Sequence, residues 1–139
     1  MSNPLPEAAL NQLFFDARTH NTWRDQEVSD EQLHRLLDIL KMAPTSANCS
    51  PARFYFIKSK AAKARLKTYL SGNNAEKTMA APVCAIIGYD LEFYEHLPRL
   101  FPHTNAKSWF AGNDAKIAET AVRNGTLQCA YLIMAARSL

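Results

Sequence analysis

Apolar residues in the first half of the chain recur at helical spacing in two segments. The apolar positions of the first segment are Leu10, Leu13, Phe14 and Ala17. Pro6 can occupy the first turn of this helix, where its missing N–H costs little. The second segment begins with the capping-box pattern Ser29-Asp30-Glu31-Gln32, and its apolar stripe consists of Leu33, Leu36, Leu37 and Leu40. Because Pro44 disfavours helical geometry at Ala43, this helix must end near Met42.

Strands and helices are both predicted in the rest of the chain. Residues 53–58 are rich in aromatics and predict a strand, and Ser59 can cap a short basic helix over residues 60–70. A short helical piece through Ala81 precedes the apolar run 83–89, which predicts a strand buried on both faces. Residues 91–113 are aromatic-rich with little period, and residues 115–139 predict a long helix. Its inward residues are predicted to be Ile117, Ala121, Leu127, Tyr131 and Met134.

This order of elements predicts an α+β domain with helices packed on a small sheet. The length of 139 residues fits one domain spanning 1–139, and 47% hydrophobic residues can build a substantial core. No apolar run approaches the roughly 20 residues of a membrane span, and no secretory signal is visible. The three cysteines are widely spaced and odd in number, which argues against a disulfide framework. We therefore expect a cytoplasmic protein with reduced thiols.

Several kinds of chemistry receive little support. The four histidines are isolated from one another and from the cysteines, so no metal site is expected. Cys49 could be a nucleophile, but no neighbouring base would activate it. The net charge is +3, and residues 58–67 form a basic helical cluster. That cluster is most often a solvated face, and nucleic-acid binding is the alternative interpretation.

Three polar segments could address a ligand. In residues 18–23, Arg18 can form a bidentate pair with a phosphate. The octapeptide Pro44-Thr45-Ser46-Ala47-Asn48-Cys49-Ser50-Pro51 combines hydroxyls and an amide between two prolines, which suits a flat, acceptor-rich ligand. The alternative is an ordinary polar connection between a helix and a strand. With the third segment, Asn73-Asn74-Ala75-Glu76-Lys77, these residues indicate a phosphorylated heterocycle as the ligand.

In combination, these and further motifs resemble the nitroreductase-like FMN flavoproteins over essentially the whole chain. The residues that carry the resemblance are Asp16-Ala17-Arg18-Thr19-His20-Asn21 with Trp23, Pro44 to Arg53, Ser71-Gly72-Asn73 with Lys77, Phe93-Tyr94-Glu95, Leu100-Phe101-Pro102-His103, Ser108-Trp109-Phe110, and Glu119-Thr120-Ala121 with Arg123-Asn124. The subgroup that the chain resembles most narrowly comprises the reductases of malonic semialdehyde in pyrimidine (uracil) degradation. The wider family often has Gln where this chain has Ser50, which leaves the contact at that position open.

The resemblance implies a nitroreductase-like α+β fold on a small mixed sheet and a homodimer with FMN at the subunit interface. Arg18 and His20 match positions near the FMN phosphate and ribityl chain, Lys77 matches one near the flavin ring, and the 44–51 loop would come from the partner subunit. The full set of expected cofactor-binding residues is Arg18, Thr19, His20, Pro44, Thr45, Ser46, Asn48, Asn73 and Lys77. The flavin N5 atom, and no side chain, would carry the chemistry.

The implied activity is reduction of malonic semialdehyde to 3-hydroxypropionate by NADH or NADPH, with hydride passing through flavin in a ping-pong sequence. A general nitro or quinone reductase is the alternative within the family. Phe101, Trp109 and Phe110 are candidates to stack near the substrate, and core packing is the other interpretation of these rings. Nothing in the resemblance implies a membrane, nucleic-acid or metal partner.

The last predicted helix continues to Arg137-Ser138-Leu139 without a glycine cap. Compared with the family, a C-terminal strand and extension would be missing, so we expect a truncated chain. Loss of that strand would leave apolar surface uncovered. On this interpretation the chain would bind FMN weakly, be poorly soluble as a monomer, and could be a fragment without catalytic activity.

Overall fold

The computed structural model describes residues 3–139, in which six helices, two strands and several short turns follow one another. Helix α1 spans Glu7–Leu10 and continues into a π-helical turn, Asn11–Phe15. The other helices are α2 (Asp30–Leu40), α3 (Lys60–Lys67), α4 (Asn74–Ala80), α5 (Leu97–Leu100) and α6 (Asp114–Ser138). The strands are β1 (Ala52–Ile57) and β2 (Cys84–Tyr89), and 3₁₀ turns occur at Ser46–Asn48, Phe93–His96 and Ala106–Trp109. None of the helices in this part of the chain is long and apolar enough to cross a membrane.

Both predicted helix caps are confirmed. At the start of α2, the Ser29 hydroxyl accepts from the Gln32 N–H at 3.2 Å, and the Gln32 carboxamide accepts from the Ser29 N–H at 2.9 Å. This reciprocal pair satisfies two of the donors that a helix leaves free at its first turn. The Ser59 hydroxyl caps α3 in the same way by accepting from the Ala62 N–H at 3.2 Å. The basic helix is shorter than predicted, since it ends at Lys67.

The sheet has two antiparallel strands in residues 3–139, with Ala52 opposite Tyr89 and Ile57 opposite Cys84. This agrees with a small sheet but differs from the mixed sheet that was expected. The prediction that β2 is buried on both faces is wrong, because Ile86 and Ile87 are 41% and 40% exposed. A continuous apolar run does not specify how many neighbours a strand has. Here β2 pairs with β1, and α6 packs on the sheet face that carries Phe54 and Phe56.

Helix α6 contributes to both hydrophobic clusters of the described chain. Near its C-terminus, Leu132 and Ala135 pack with the apolar stripe of α2. Near its N-terminus, Ile117 and Ala121 pack in a second cluster, whose other buried members are Cys49, Phe93, Leu97, Ala106 and Phe110. One face of α6 therefore joins the two halves of the interior.

In the middle of α6, the residues that face inward are not the ones that the sequence predicts. Leu127 and Tyr131 are 48% and 39% exposed, whereas Asn124, Gly125 and Gln128 are buried. The prediction failed because it assigned the interior to apolar residues. At this level the helix packs against backbone amides of a loop and of β1, so amide side chains satisfy the buried polar groups.

Lys63 departs from the expectation that the basic cluster 58–67 is wholly solvated. Its side chain is buried, and Nζ donates to the carbonyls of Met79 and Ala81 at 3.1 and 2.6 Å. These bonds join α3 to the end of α4 and satisfy carbonyls that the helix itself leaves without partners. Lys58 of the same cluster lies 2.9 Å from Asp30 and 3.5 Å from Glu27, and its hydrogen bond lowers the pKa of Asp30.

Replacing Lys63 tests how much this buried ammonium stabilises the fold. The variant Lys63→Met keeps an unbranched side chain of similar length but removes the donor, so both carbonyls lose a buried partner. We expect the free energy of unfolding to fall by about 1–3 kcal/mol, measured by urea denaturation. The matched control is Lys67→Met, at the exposed last residue of the same helix, which should change stability by no more than about 0.5 kcal/mol. Equal effects of the two substitutions would contradict this role for Lys63.

Candidate functional site

The 44–51 loop has an unusual backbone. Ala47, Asn48 and Ser50 have φ values of 50°, 52° and 39°, in the left-handed region. Residues other than glycine seldom adopt this region, and three in one loop constitute local strain. Such strain persists only where surrounding contacts enforce it, and it concentrates at functional sites. This backbone favours the functional interpretation of the octapeptide over an ordinary connection.

Two buried side chains of α6 bond to the two ends of the loop. The Asn124 Oδ1 atom accepts from the Ser46 N–H at 2.8 Å, and the Gln128 Oε1 atom accepts from the Ala52 N–H at 2.8 Å. Sequence reasoning assigned neither residue a role. The available signal was a pair of amides four residues apart, on a helical face whose other members include Ala121 and Leu132.

Further bonds fix the interior of the loop. The Thr45 hydroxyl accepts from the Ser50 N–H at 3.1 Å, so it closes the loop on itself. The Arg53 guanidinium donates to the Ser50 carbonyl at 3.1 Å and forms an ion pair with Asp90 at 2.6 Å. Asn48 donates through Nδ2 to the Leu100 carbonyl at 3.1 Å. The loop is therefore attached to α6, to the residue that follows β2 and to the C-terminal end of α5.

Cys49 is buried in the loop, as is Pro51, and at 1% exposure it packs within the cluster around Phe93. Burial raises the pKa of its thiol, and a hydrogen bond with Thr45 opposes this effect only in part. A nucleophilic cysteine needs the opposite conditions, namely access and a lowered pKa. The geometry therefore favours a packing role for Cys49 over the nucleophile considered from sequence.

The three aromatic candidates for substrate stacking lie in different environments. Phe110 is 4% exposed and packs edge-on against Phe93, with ring centroids 5.0 Å apart, which favours the core-packing interpretation for this ring. Trp109 is 46% exposed, and its ring lies 6.1 Å from that of Phe101. Phe101 is half-buried and follows Leu100, the residue to which Asn48 bonds. Phe101 and Trp109 thus lie beside the 44–51 loop and remain the candidates.

The other predicted cofactor residues lie in residues 18–20 and in or next to α4, and Trp23 connects these two segments. The indole Nε1 of Trp23 donates to the Lys77 carbonyl at 3.1 Å, so the end of the 18–23 segment lies against α4, the helix that follows Asn73. Arg18, Thr19, His20 and Asn73 are exposed, and Lys77 is half-buried. We call Arg18, Thr19, His20, Asn73 and Lys77 the arginine group, and the 44–51 loop with Phe101 and Trp109 the loop group.

The two groups lie at different levels of α6. The loop group bonds to Asn124, whereas the turn before residues 18–23 bonds to the C-terminal end of the helix through Arg137, which donates to the Leu13 carbonyl at 3.0 Å. Trp23 and Ala136 line the same cavity. At a rise of about 1.5 Å per residue, Asn124 and Ala136 are about 18 Å apart along the axis. No hydrogen bond, ion pair or ring contact joins the two groups within residues 3–139.

A cavity of about 460 Å³ lies beside Trp23. Apolar side chains of α2, β1 and α6 dominate its walls, including Leu33, Phe56 and Leu132. No member of the arginine group or of the loop group lines it. The cavity and the predicted cofactor site are therefore different places.

Thiol reactivity tests the environment of Cys49. Alkylation with iodoacetamide at about pH 8 should modify Cys49 more slowly than the half-buried Cys84, because burial limits access and a raised pKa leaves less thiolate. Mass spectrometry of peptides after timed quenching gives the rates. All three cysteines should react in guanidinium chloride, which serves as the control. Rapid labelling of Cys49 in the native protein would show that the loop is open.

Comparison with known proteins identifies the family. The profile of the Nitroreductase family matches residues 16–139. A protein of Burkholderia lata, whose name provisionally assigns it as an NADH dehydrogenase/NAD(P)H nitroreductase, is 64% identical over 135 residues, 97% of this chain and 69% of that protein. A protein of Polynucleobacter asymbioticus with the same provisional assignment is 58% identical over 139 residues, 100% of this chain and 71% of its own length.

A solved structure of the same fold agrees with this result. It is a protein of Exiguobacterium sibiricum, provisionally described as a nitroreductase and solved in complex with FMN. The TM-score is 0.79 at 16% identity, with 91% of this chain and 69% of that chain covered. At this identity the likeness concerns the fold, and it confirms the predicted fold class. Since the family profile matches most of the chain and both relatives are at least 58% identical, the chain belongs to the nitroreductase family.

Proposed function

We propose that this chain is an FMN-dependent NAD(P)H oxidoreductase that functions as a homodimer, with each flavin between two subunits. Family membership supports the reaction class, and a protein of the same fold holds FMN. The observation that carries the subunit arrangement is the separation of the two groups along α6. A site that uses residues at both levels is assembled most simply from the arginine group of one subunit and the loop group of its partner.

The charges of the arginine group suit an anionic cofactor. Arg18 donates through Nη1 to the carbonyls of Phe15 and Ala17, at 2.7 and 2.8 Å. A guanidinium carries five N–H donors, so the donors of Nη2 and Nε remain for a ligand. Within residues 3–139, neither Arg18 nor Lys77 forms an ion pair with a carboxylate. These two cations without acidic partners, Lys77 on α4 and Arg18 in the segment that Trp23 joins to α4, would hold a phosphate and stabilise negative charge on a reduced ring.

The loop group would orient the ring and keep water away from it. Ser46 and Asn48 are exposed on a loop whose backbone is fixed from several sides, so their polar atoms are presented at low entropic cost. The exposed face of Trp109 and the adjoining Phe101 would cover the reacting atoms. Bound FMN would supply the redox chemistry by accepting hydride from NAD(P)H and passing it to the acceptor.

Substitution in each group tests whether both bind FMN. Arg18→Ala removes charge-assisted donors, and Asn48→Gly removes the carboxamide while allowing the left-handed backbone. Each should weaken FMN binding by roughly 10- to 100-fold, measured by quenching of flavin fluorescence. Arg24→Ala, at an exposed arginine outside the predicted set, is the control and should bind normally.

A mixture of the two variants tests the subunit arrangement. In a mixed dimer with twofold symmetry, one site carries both substitutions and the other carries neither. If equal amounts of the two variants exchange subunits freely, about half of the dimers are mixed. About a quarter of all sites should then bind FMN as tightly as the sites of the unaltered protein. No recovery despite proven exchange would place both groups in one subunit's site, and full-strength FMN binding by Arg18→Ala would remove Arg18 from the site.

The substrate that we propose is malonic semialdehyde, with 3-hydroxypropionate as the product. The narrow sequence resemblance carries this choice. We expect kcat/KM for malonic semialdehyde to exceed that for nitroaromatics or quinones by at least about tenfold, measured as NADH or NADPH consumption with FMN present. The opposite ranking would favour a general nitro or quinone reductase. Absence of flavin absorbance and of turnover with every acceptor would favour a fragment without catalytic activity.

A further inference from the structure

Two buried amides on α6 hold the ends of the strained loop. Asn124 and Gln128 are 6% and 5% exposed and lie one turn apart on the same face of the helix. Each uses its side-chain oxygen to accept one backbone N–H, from Ser46 before the left-handed residues and from Ala52 after them. The three residues with positive φ, Ala47, Asn48 and Ser50, all lie between these two bonds.

The orientation of Asn124 is determined from both sides. Its Nδ2 atom donates to the Thr120 carbonyl at 2.8 Å, and its Oδ1 atom accepts from Ser46 at 2.8 Å. A reversed carboxamide would place a donor against an N–H and an acceptor against a carbonyl. The amide thus has one favourable orientation, and that orientation fixes the position of Ser46. An apolar side chain would fill the same space, but it would leave the Ser46 amide without its partner.

We propose that Asn124 is a positioning residue for the flavin site, with Gln128 in a supporting role. Asn124 would hold the start of the 44–51 loop so that Ser46 and Asn48 keep the backbone conformation in which they contact the flavin ring. Because that conformation is unfavourable for residues other than glycine, the loop should leave it once the bond to Ser46 is lost. The expected effect of Asn124 on FMN binding rests on the proposed function, whereas its effect on the loop can be measured without FMN.

The test compares Asn124→Leu with a variant that disturbs α6 elsewhere. Hydrogen exchange of the flavin-free protein should be at least about tenfold faster at the amides of residues 46–50, with little change in β1 beyond Ala52. FMN binding should weaken by about tenfold, the effect of one hydrogen bond. The control Leu132→Ala alters the other hydrophobic cluster. It should lower the melting temperature and leave exchange in residues 46–50 unchanged.

A second substitution separates positioning from simple packing. Ala47→Gly removes the steric cost of the left-handed conformation at one of the strained positions. Combined with Asn124→Leu, it should restore part of the amide protection and of the FMN affinity, a coupling that a purely structural role for Asn124 would not produce. If the leucine variant fails to fold, Asn124→Ala removes the same acceptor with a side chain that fits the same space.

Unchanged exchange in residues 46–50 of the variant, or absence of rescue by Ala47→Gly, would overturn the proposal. If the unaltered chain itself binds no FMN, the proposed function fails, and the exchange experiment still decides whether Asn124 holds the loop.

Discussion

The burial of one face of α6 is the constraint on which the rest of the structure depends. The two ends of α6 supply apolar residues to separate hydrophobic clusters, and the middle of the helix supplies the amides that bond to the 44–51 loop and to β1. A change in the rotation of this helix would disturb the packing and the loop together. The fold thus uses one element both to close its interior and to shape a surface loop, which links the stability of the core to the geometry of the candidate site.

The same helix separates the two sets of residues that the sequence associates with one cofactor. The turn that leads into the arginine group bonds to the C-terminal end of α6, and the loop group bonds to its middle. A twofold arrangement would resolve this separation without moving either group, since each subunit would offer both halves to its partner. Binding of the cofactor and association of the subunits would then be thermodynamically linked, because the ligand would favour the dimer over the free subunits.

Local patterns in the sequence were sufficient for the helix caps at Ser29 and Ser59 and for both strands, because the signals of those features lie within a few residues. Features that depend on distant partners were not predictable in this way. Apolar spacing predicts Leu127 and Tyr131 inward, although the backbone that faces this part of α6 bonds to amides instead. The basic cluster predicts a solvated Lys63, although its ammonium is buried against the end of α4. The left-handed φ values at Ala47 and Ser50 have no local signal either, since neither residue is glycine and the bonds that enforce the loop come from α6 and Arg53.

The buried ammonium of Lys63 has a consequence for how the sequence can drift. It bonds to main-chain oxygens, which every amino acid provides, so the contact itself does not depend on which side chains residues 79 and 81 carry. Position 63 has no such freedom, because few side chains can bring a donor to that depth. Mutational tolerance is therefore unequal on the two sides of one contact. A survey of substitutions at Met79 and Ala81 alone would give no hint that a buried charge lies between the two helices.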